Sequence, residues 1–310
     1  MTRRALLTVP LAVARAADVV DVRKIWDAGA HNAFTDLIRF HGRWYCAFRE
    51  AAKHVSPDGA IRIIASRDGK QWEPSALLKS DNDLRDPKLC LTPAGRMMLT
   101  AAAAAPDGHQ TYAWFSDNGR DYSNPEPVGE RGLWLWRVVW RQDRAYGIGY
   151  STGDDRFVRL YRSSDGVRFE PHVDRLFDRD YPNESAIVFD SQDTAHCLLR
   201  RDRGSASAML GRARPPYREW DWRDLGVRVG GPQMLLHSGR LLAATRLHNP
   251  VRTALSWIDP GSASFTEFLR LPSAGDTSYP GLVAHDELLW VSYYSSHEGK
   301  TAIYLAKVRI

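Results

Sequence analysis

One short turn sequence recurs along the chain at a nearly fixed interval. Ser66-Arg67-Asp68-Gly69-Lys70-Gln71-Trp72 and Ser163-Ser164-Asp165-Gly166-Val167-Arg168-Phe169 share the pattern S-x-D-G-x-x-aromatic. Asp117-Asn118-Gly119-Arg120-Asp121-Tyr122 reads D-x-G-x-x-Y between them, and Asp68, Asp117 and Asp165 stand 49 and 48 residues apart. Two periods further on lies Asp259-Pro260-Gly261 with Phe265 after it, and a worn turn, Arg214-Pro215-Pro216-Tyr217, fills the interval. In such a turn Asp caps backbone N–H groups, Gly supplies positive φ and the aromatic ring packs the turn onto a sheet. A fixed period of this length belongs to a repeat architecture.

Between the turns the apolar runs fall into strands. A first strand recurs at 31–40, 85–92, 136–140, 183–189, 230–236 and 278–284, and a second at 43–50, 96–103, 144–151, 194–201, 240–247 and 287–294. A third follows at 60–66, 111–116, 156–163, 207–213, 252–258 and 301–308. Five repeats add a fourth strand after the turn, at 72–79, 122–128, 169–177, 221–229 and 265–271. The sixth has none, and the segment VVDVRKIW (19–26) is available to supply it. The expected fold is therefore all-β: a six-bladed β-propeller of four antiparallel strands per blade, its ring closed by the N-terminal strand. It occupies 18–310 as one domain.

Composition excludes several classes. The net charge is +5, but most of the positive charge is scattered arginine with no basic run, so nucleic acid is not an expected partner. No apolar run reaches the ~18 residues of a membrane span. Cys46, Cys90 and Cys197 are too few and too scattered for a disulfide framework or a zinc site, and read as buried thiols. No metal or cofactor is expected. Thr2-Arg3-Arg4, the apolar stretch Ala5–Ala14 and Ala14-Arg15-Ala16 read as a short signal peptide over 1–17, implying a secreted or periplasmic protein. Without cleavage the protein would be cytoplasmic. A monomer is expected.

In a propeller the starts of the first strands and the ends of the second strands converge on one face. Here these positions give His31, Asn32, Arg85, Asp86, Trp136, Arg137, Glu184 and Tyr279, with Arg49, Glu50, Tyr150, Arg200, Arg201, Arg246 and Tyr294. So many charged and hydroxyl groups point to an anionic, hydroxyl-rich ligand.

The segments HNAFTDLIRF, HVSPDGAIR, LRDPKL, NESAIVF, GGPQ and GDTSYPGLV, together with the turns, resemble the sialidase superfamily with Asp-box (BNR) repeats. The likeness covers essentially everything after residue 18 and is nearest to uncharacterised bacterial sialidase-like proteins. It implies a retaining exo-glycosidase that cleaves a terminal acidic sugar, sialic acid or a related ulosonate, from a glycan. The implied catalytic residues are Asp58 as acid/base, Tyr279 as nucleophile and Glu184 as its helper. Each has a plainer reading: Asp58 as a Pro-Asp-Gly turn, Tyr279 as a plug in the channel, Glu184 as a hydrogen-bond acceptor. Arg201 (or Arg200) and Arg246 fit two of the three carboxylate-binding arginines. The first arginine is absent from the segment His31-Asn32-Ala33, where Arg49, Arg85 or Arg137 would have to substitute. That departure keeps open a hydrolase or lyase for uronate- or rhamnose-containing polysaccharide, and a non-catalytic carbohydrate-binding propeller. His31, His54 and Arg85-Asp86 occupy loop positions that face the site, and His297-Glu298-Gly299 lacks metal spacing.

Overall fold

Short alternating runs punctuated by Gly, Asp and Asn cannot sustain helices, and the computed structural model, which describes residues 17–310, contains twenty-four strands and no helix among them. No helix of the described residues is long and apolar enough to cross a membrane. The proposed signal segment lies outside the described residues except for Ala17. The strands form six four-stranded antiparallel sheets. Asp18–Trp26 pairs with Ala302–Arg309, from Asp18 opposite Arg309 to Trp26 opposite Ile303, and completes blade six. The inner strands are His31–Phe40, Asp83–Leu91, Leu133–Arg141, Pro182–Phe189, Gly230–His237 and Thr277–His285; each contacts its two neighbours, so the ring is closed.

The cores lie between blades. Phe40, Ile61 and Ile63 of blade one meet Leu84, Met97 and Leu99 of blade two, and similar clusters fill the other five junctions. Two outer strands are shorter than the sequence implies. Blade two keeps only Glu126–Val128 and blade four only Asp221–Asp224. Pro125 and the left-handed Gly226 stand where pairing stops, as their backbones require. Cys46 and Cys197 are buried and Cys90 is half-buried; burial pushes the Cys90 thiol up to about 12.

The turn pattern is a hydrogen-bonded unit. In blade one Ser66 Oγ accepts from Gly69 N at 2.8 Å, and Asp68 Oδ1 accepts from Lys70 N at 2.8 Å and Gln71 N at 3.1 Å. Ser163, Asp165 and Gly166 repeat this in blade three. In blade two the capping residue is Asn118, not Asp117: Asn118 Oδ1 accepts from Arg120 N and Asp121 N, whereas Asp117 binds Arg96. An amide oxygen caps as well as a carboxylate, so the position before the glycine defines the repeat. Asp259 makes a different turn, capping Gly261 N directly, and Tyr217 closes its turn on Arg214 O.

Each of these turns abuts the preceding blade. A Cβ on Gly69 would fall 2.3 Å from Trp290 of blade six, and one on Gly119 2.3 Å from Tyr45 of blade one. Gly119→Ala also forces φ +73 on an L-residue. It should destabilise the protein by about 3 kcal/mol in urea unfolding, the sum of left-handed strain and overpacking.

Candidate active site

Every inner strand carries a bulge at the same level. Pairing skips between Ala33 and Asp36, Arg85 and Lys88, Leu135 and Arg137, Pro182 and Ser185, Gly230 and Gln233, and Ser278 and Gly281. The bulged residues are Phe34-Thr35, Asp86-Pro87, Trp136, Asn183-Glu184, Gly231-Pro232 and Tyr279-Pro280. Three bulges place Pro where the ladder needs no N–H donor. Phe34, Asp86, Gly231 and Tyr279 sit at φ +62, +51, +55 and +49. Left-handed backbone is unfavourable for the three that are not glycine, and bulges of this kind re-aim side chains at functional sites.

Two bulge residues meet across the channel. Tyr279 Oη donates to Glu184 Oε1 at 2.5 Å, although 95 residues separate them. Arg200 Nη1 donates to Tyr279 Oη at 3.1 Å and lies 2.8 Å from Glu184 Oε2, which also accepts from Gly231 N at 2.8 Å. Tyr279 and Glu184 are each 7% exposed. Burial pushes the Tyr279 phenol up, as does Glu184, and this outweighs the pull of Arg200 and Arg246. Burial also opposes the Glu184 charge, but Arg200, the Tyr279 hydroxyl and Arg246 overcome it and hold the carboxyl below its ordinary value. The pair therefore rests as neutral phenol against carboxylate, the arrangement in which a base can take the phenol proton.

The arginines divide by register. Arg49, Arg201 and Arg246 stand at equivalent positions, opposite Ala33, Pro182 and Gly230. Arg49 is fully buried and committed to Asp83 at 2.7 Å and to the carbonyls of Lys53 and Ser56. Arg201 is held by Asp180 and Asp224, each at 2.7 Å, and by Ser207. Both are internal clamps, contrary to the expectation that they bind ligand. Of the adjacent pair Arg200 and Arg201, only Arg200 reaches Tyr279. The Arg246 guanidinium lies 5.4 Å from the Tyr279 ring centroid, its Nη1 reaches only Thr277 O at 3.4 Å, and its Nε has no hydrogen-bond partner among the described residues.

Arg137 is a buried strut, donating to Asp36 across the channel at 2.9 and 3.4 Å, so it too is committed internally. Asn32 is fully buried and ties its strand to Gly29 and Thr301, again a structural role. Arg85 lies at the mouth, 5.4 Å from the Phe34 ring centroid, and donates to His54 O. Lys88, which no motif singled out, is 3% exposed with Nζ 4.6 Å from the Trp136 ring centroid and 5.9 Å from that of Tyr279. Burial and Arg137 push it down to about 8. A charged residue inside the apolar run RDPKLCLT was the available signal for it.

Asp58 is exposed and accepts from Ala52 N with both oxygens, at 3.3 and 3.0 Å. The Ser56 hydroxyl and the loop backbone hold its carboxyl below the ordinary value, so it is an anion at neutral pH and a poor fit to the role of proton donor. Asp86 is the reverse. It is 5% exposed, its Oδ1 has no hydrogen-bond partner among the described residues, and burial pushes it up to about 6 against the pull of Lys88 and Arg85, with Glu184 adding to the rise. His31 Nε2 and His54 Nδ1 both approach Asp276 Oδ2, at 3.1 and 2.7 Å; of the described residues, these three form the one group of His, Cys, Asp or Glu spaced to hold a metal ion.

No family model and no curated protein matches the chain. Solved structures do. A Dyadobacter fermentans protein of unknown function is 20% identical, with a TM-score of 0.84 over 95% of this chain and 99% of that one. Penicillium chrysogenum alpha-L-arabinanase, complexed with arabinobiose, is 11% identical at TM-score 0.74 over 93% and 98%. Trypanosoma rangeli sialidase in complex with the inhibitor DANA is 10% identical at TM-score 0.71, covering 90% of this chain and 55% of that one. At these identities the likeness is one of fold: the chain has the six-bladed propeller that sialidases and arabinanases share.

Proposed function

We propose that the protein is a retaining exo-glycosidase that releases a terminal acidic sugar, sialic acid or a related ulosonate, from a glycan. The Tyr279–Glu184 hydrogen bond carries this reading. A phenol buried against a carboxylate, with Arg200 touching both, is the pair a tyrosine nucleophile needs, and it suits an anomeric carbon whose own carboxylate would repel an anionic nucleophile. Arg200, Arg246 and Lys88 surround that phenol with positive charge, and among the described residues Arg246 has no carboxylate partner to prevent it from taking an anionic group. The glycosidases among the fold neighbours support a carbohydrate substrate. The repeated turns are read as Asp-boxes, and the residues at 1–17 as an export signal.

In the first step the Tyr279 oxygen bonds to the anomeric carbon as the glycosidic C–O bond breaks. Glu184 takes the phenol proton, and Asp86 gives its proton to the departing oxygen. In the second step Asp86 takes a proton from water, the hydroxide oxygen bonds to the anomeric carbon, the Tyr279 C–O bond breaks and Glu184 returns its proton. Asp86 replaces Asp58 in the acid role because it holds a proton closer to neutral pH.

The test is a panel of fluorogenic glycosides of sialic acids, other ulosonates, uronates and neutral sugars, run with the wild type and Arg246→Met. Release is expected from an acidic sugar only, with KM raised about 10²-fold in the variant through loss of a charge-assisted bidentate contact. Release of a neutral sugar, or an unchanged KM, would count against the proposal.

A further inference from the structure

Blades four and five bring cationic side chains to Tyr279. The boundary between blades six and one brings something else: two imidazoles and a carboxylate on three separate elements. His31 begins the inner strand of blade one and its side chain is 11% exposed. His54 sits in the loop 52–59, with its side chain 47% exposed. Asp276 immediately precedes the inner strand of blade six, with its side chain 28% exposed. The cluster lies beside the nucleophile, because the Phe34 ring is 5.1 Å from His54 on one side and 5.0 Å from Tyr279 on the other.

We infer that His31, His54 and Asp276 bind a zinc-type divalent cation, and that the bound ion receives the carboxylate of the acidic sugar. The donor atoms have the right spacing. Ligands at 2.0–2.1 Å around a tetrahedral ion stand about 3.3 Å apart. Here the two nitrogen-to-Asp276 distances are 3.1 and 2.7 Å, and all three donor atoms lie within 4.8 Å of one another. Both contacts are shorter than that separation, so an ion between them requires His54 to move outward, and His54 is the most exposed of the three and sits on a loop. Two imidazoles and one carboxylate favour zinc, iron(II) or cobalt over calcium or magnesium, which prefer all-oxygen sites.

The surroundings hold the carboxylate ready. The buried Tyr294 hydroxyl donates to Asp276 Oδ1 at 2.8 Å, leaving Oδ2 turned to the histidines, and Ser296 Oγ donates to the Asp276 carbonyl at 2.9 Å. Outer partners of this kind orient ligating carboxylates in metal sites. Three protein ligands with a partly exposed side leave a coordination position for substrate. The electrostatics fit as well. A divalent ion on one carboxylate carries net +1, the charge of one arginine, and adds it at the boundary of blades six and one, next to the Thr277 carbonyl that Arg246 reaches. The sugar-binding half of this inference rests on the acidic-sugar reading; the metal-binding half does not.

The test is titration of EDTA-treated, dialysed protein with Co²⁺, read by its visible absorption, then competition with Zn²⁺. One equivalent of Co²⁺ should give saturable bands that Zn²⁺ abolishes. His31→Ala and Asp276→Ala should lose them, and Tyr294→Phe should bind about 10- to 100-fold more weakly. His54→Ala, on an exposed loop, should fold with the wild-type melting temperature and also lose the bands. Absence of saturable binding, or bands unchanged in His54→Ala, would overturn the site. With cobalt bound, free N-acetylneuraminate should shift the bands and a neutral hexose should not; bands indifferent to both would overturn the carboxylate role. None of these readings needs turnover, so an inactive glycoside panel leaves the metal result interpretable.

Discussion

Tyr279→Phe should lower kcat on an activated acidic-sugar glycoside by about 10⁴-fold, the scale seen when a nucleophile is removed from an otherwise intact site. KM should change little, because the phenol oxygen reacts with the sugar rather than gripping it. The substitution removes one oxygen from a ring that still packs on Phe34, Trp136 and Tyr294. Glu184 keeps its contacts to Arg200 and Gly231 N. The melting temperature should therefore stay within a few degrees of wild type. Glu184→Gln should cost nearly as much rate, and the double variant little more than either single one, since the two groups act as a unit. A Tyr279→Phe enzyme with wild-type kcat would remove the nucleophile from the mechanism.

Asp86→Asn should produce two effects of opposite sign. The carboxyl sits at about 6 in the folded protein and near 3.9 in the unfolded chain. Below pH 4 it is protonated in both states and the two proteins should be equally stable. As pH rises from 4 to 6 the unfolded chain releases its proton first, so the wild type loses stability over that window. Above pH 6 the penalty is constant, on the order of 2–3 kcal/mol. Asparagine carries no such penalty, so the variant should be more stable by about that amount at pH 7 and not at pH 3.5, as urea unfolding at the two values would show. Its kcat/KM should fall by about 10²–10⁴-fold, with less loss for leaving groups that depart without protonation. The wild-type rate should decline above pH 6 as Asp86 ionises and below the ordinary carboxylate range as Glu184 is protonated; the variant should lose the upper limb. Asp58→Asn, assayed beside it, should keep both limbs. The opposite result would return the acid role to the loop.

The fold was legible because it is written in local terms. Apolar alternation, turn residues and their period mark each strand without knowledge of its partner, and even the closing strand at 19–26 could be placed by elimination, one residue short of the observed Asp18–Trp26. The site was legible in part. Glu184 and Tyr279 open inner strands, and the structure brings those two together. The arginines were harder, because two bulged residues on the inner strand stand against one on its neighbour. Such a slip decides whether Arg200 or Arg201 faces the channel, and no residue-type pattern records it. Asn118 rather than Asp117 caps its turn because position relative to the glycine, not residue type, sets these hydrogen bonds. Asp58 and Asp86 both follow or precede turn-forming residues, and only their burial tells them apart. His31, His54 and Asp276 belong to distant segments, 245 and 222 residues apart for the two contacts, so no spacing rule could join them.

The ring of bulges separates two kinds of inheritance. The ladder residues on either side of each skip hold the blades together, and a change there is paid in stability. The residues inside the skip belong to no ladder pair. Six such places face one opening, and at present they hold Phe-Thr, Asp-Pro, Trp, Asn-Glu, Gly-Pro and Tyr-Pro. A propeller of this build can exchange its chemistry one blade at a time, like interchangeable heads on a common handle. Descendants of one ancestor could thus diverge in substrate while their blades remained superimposable.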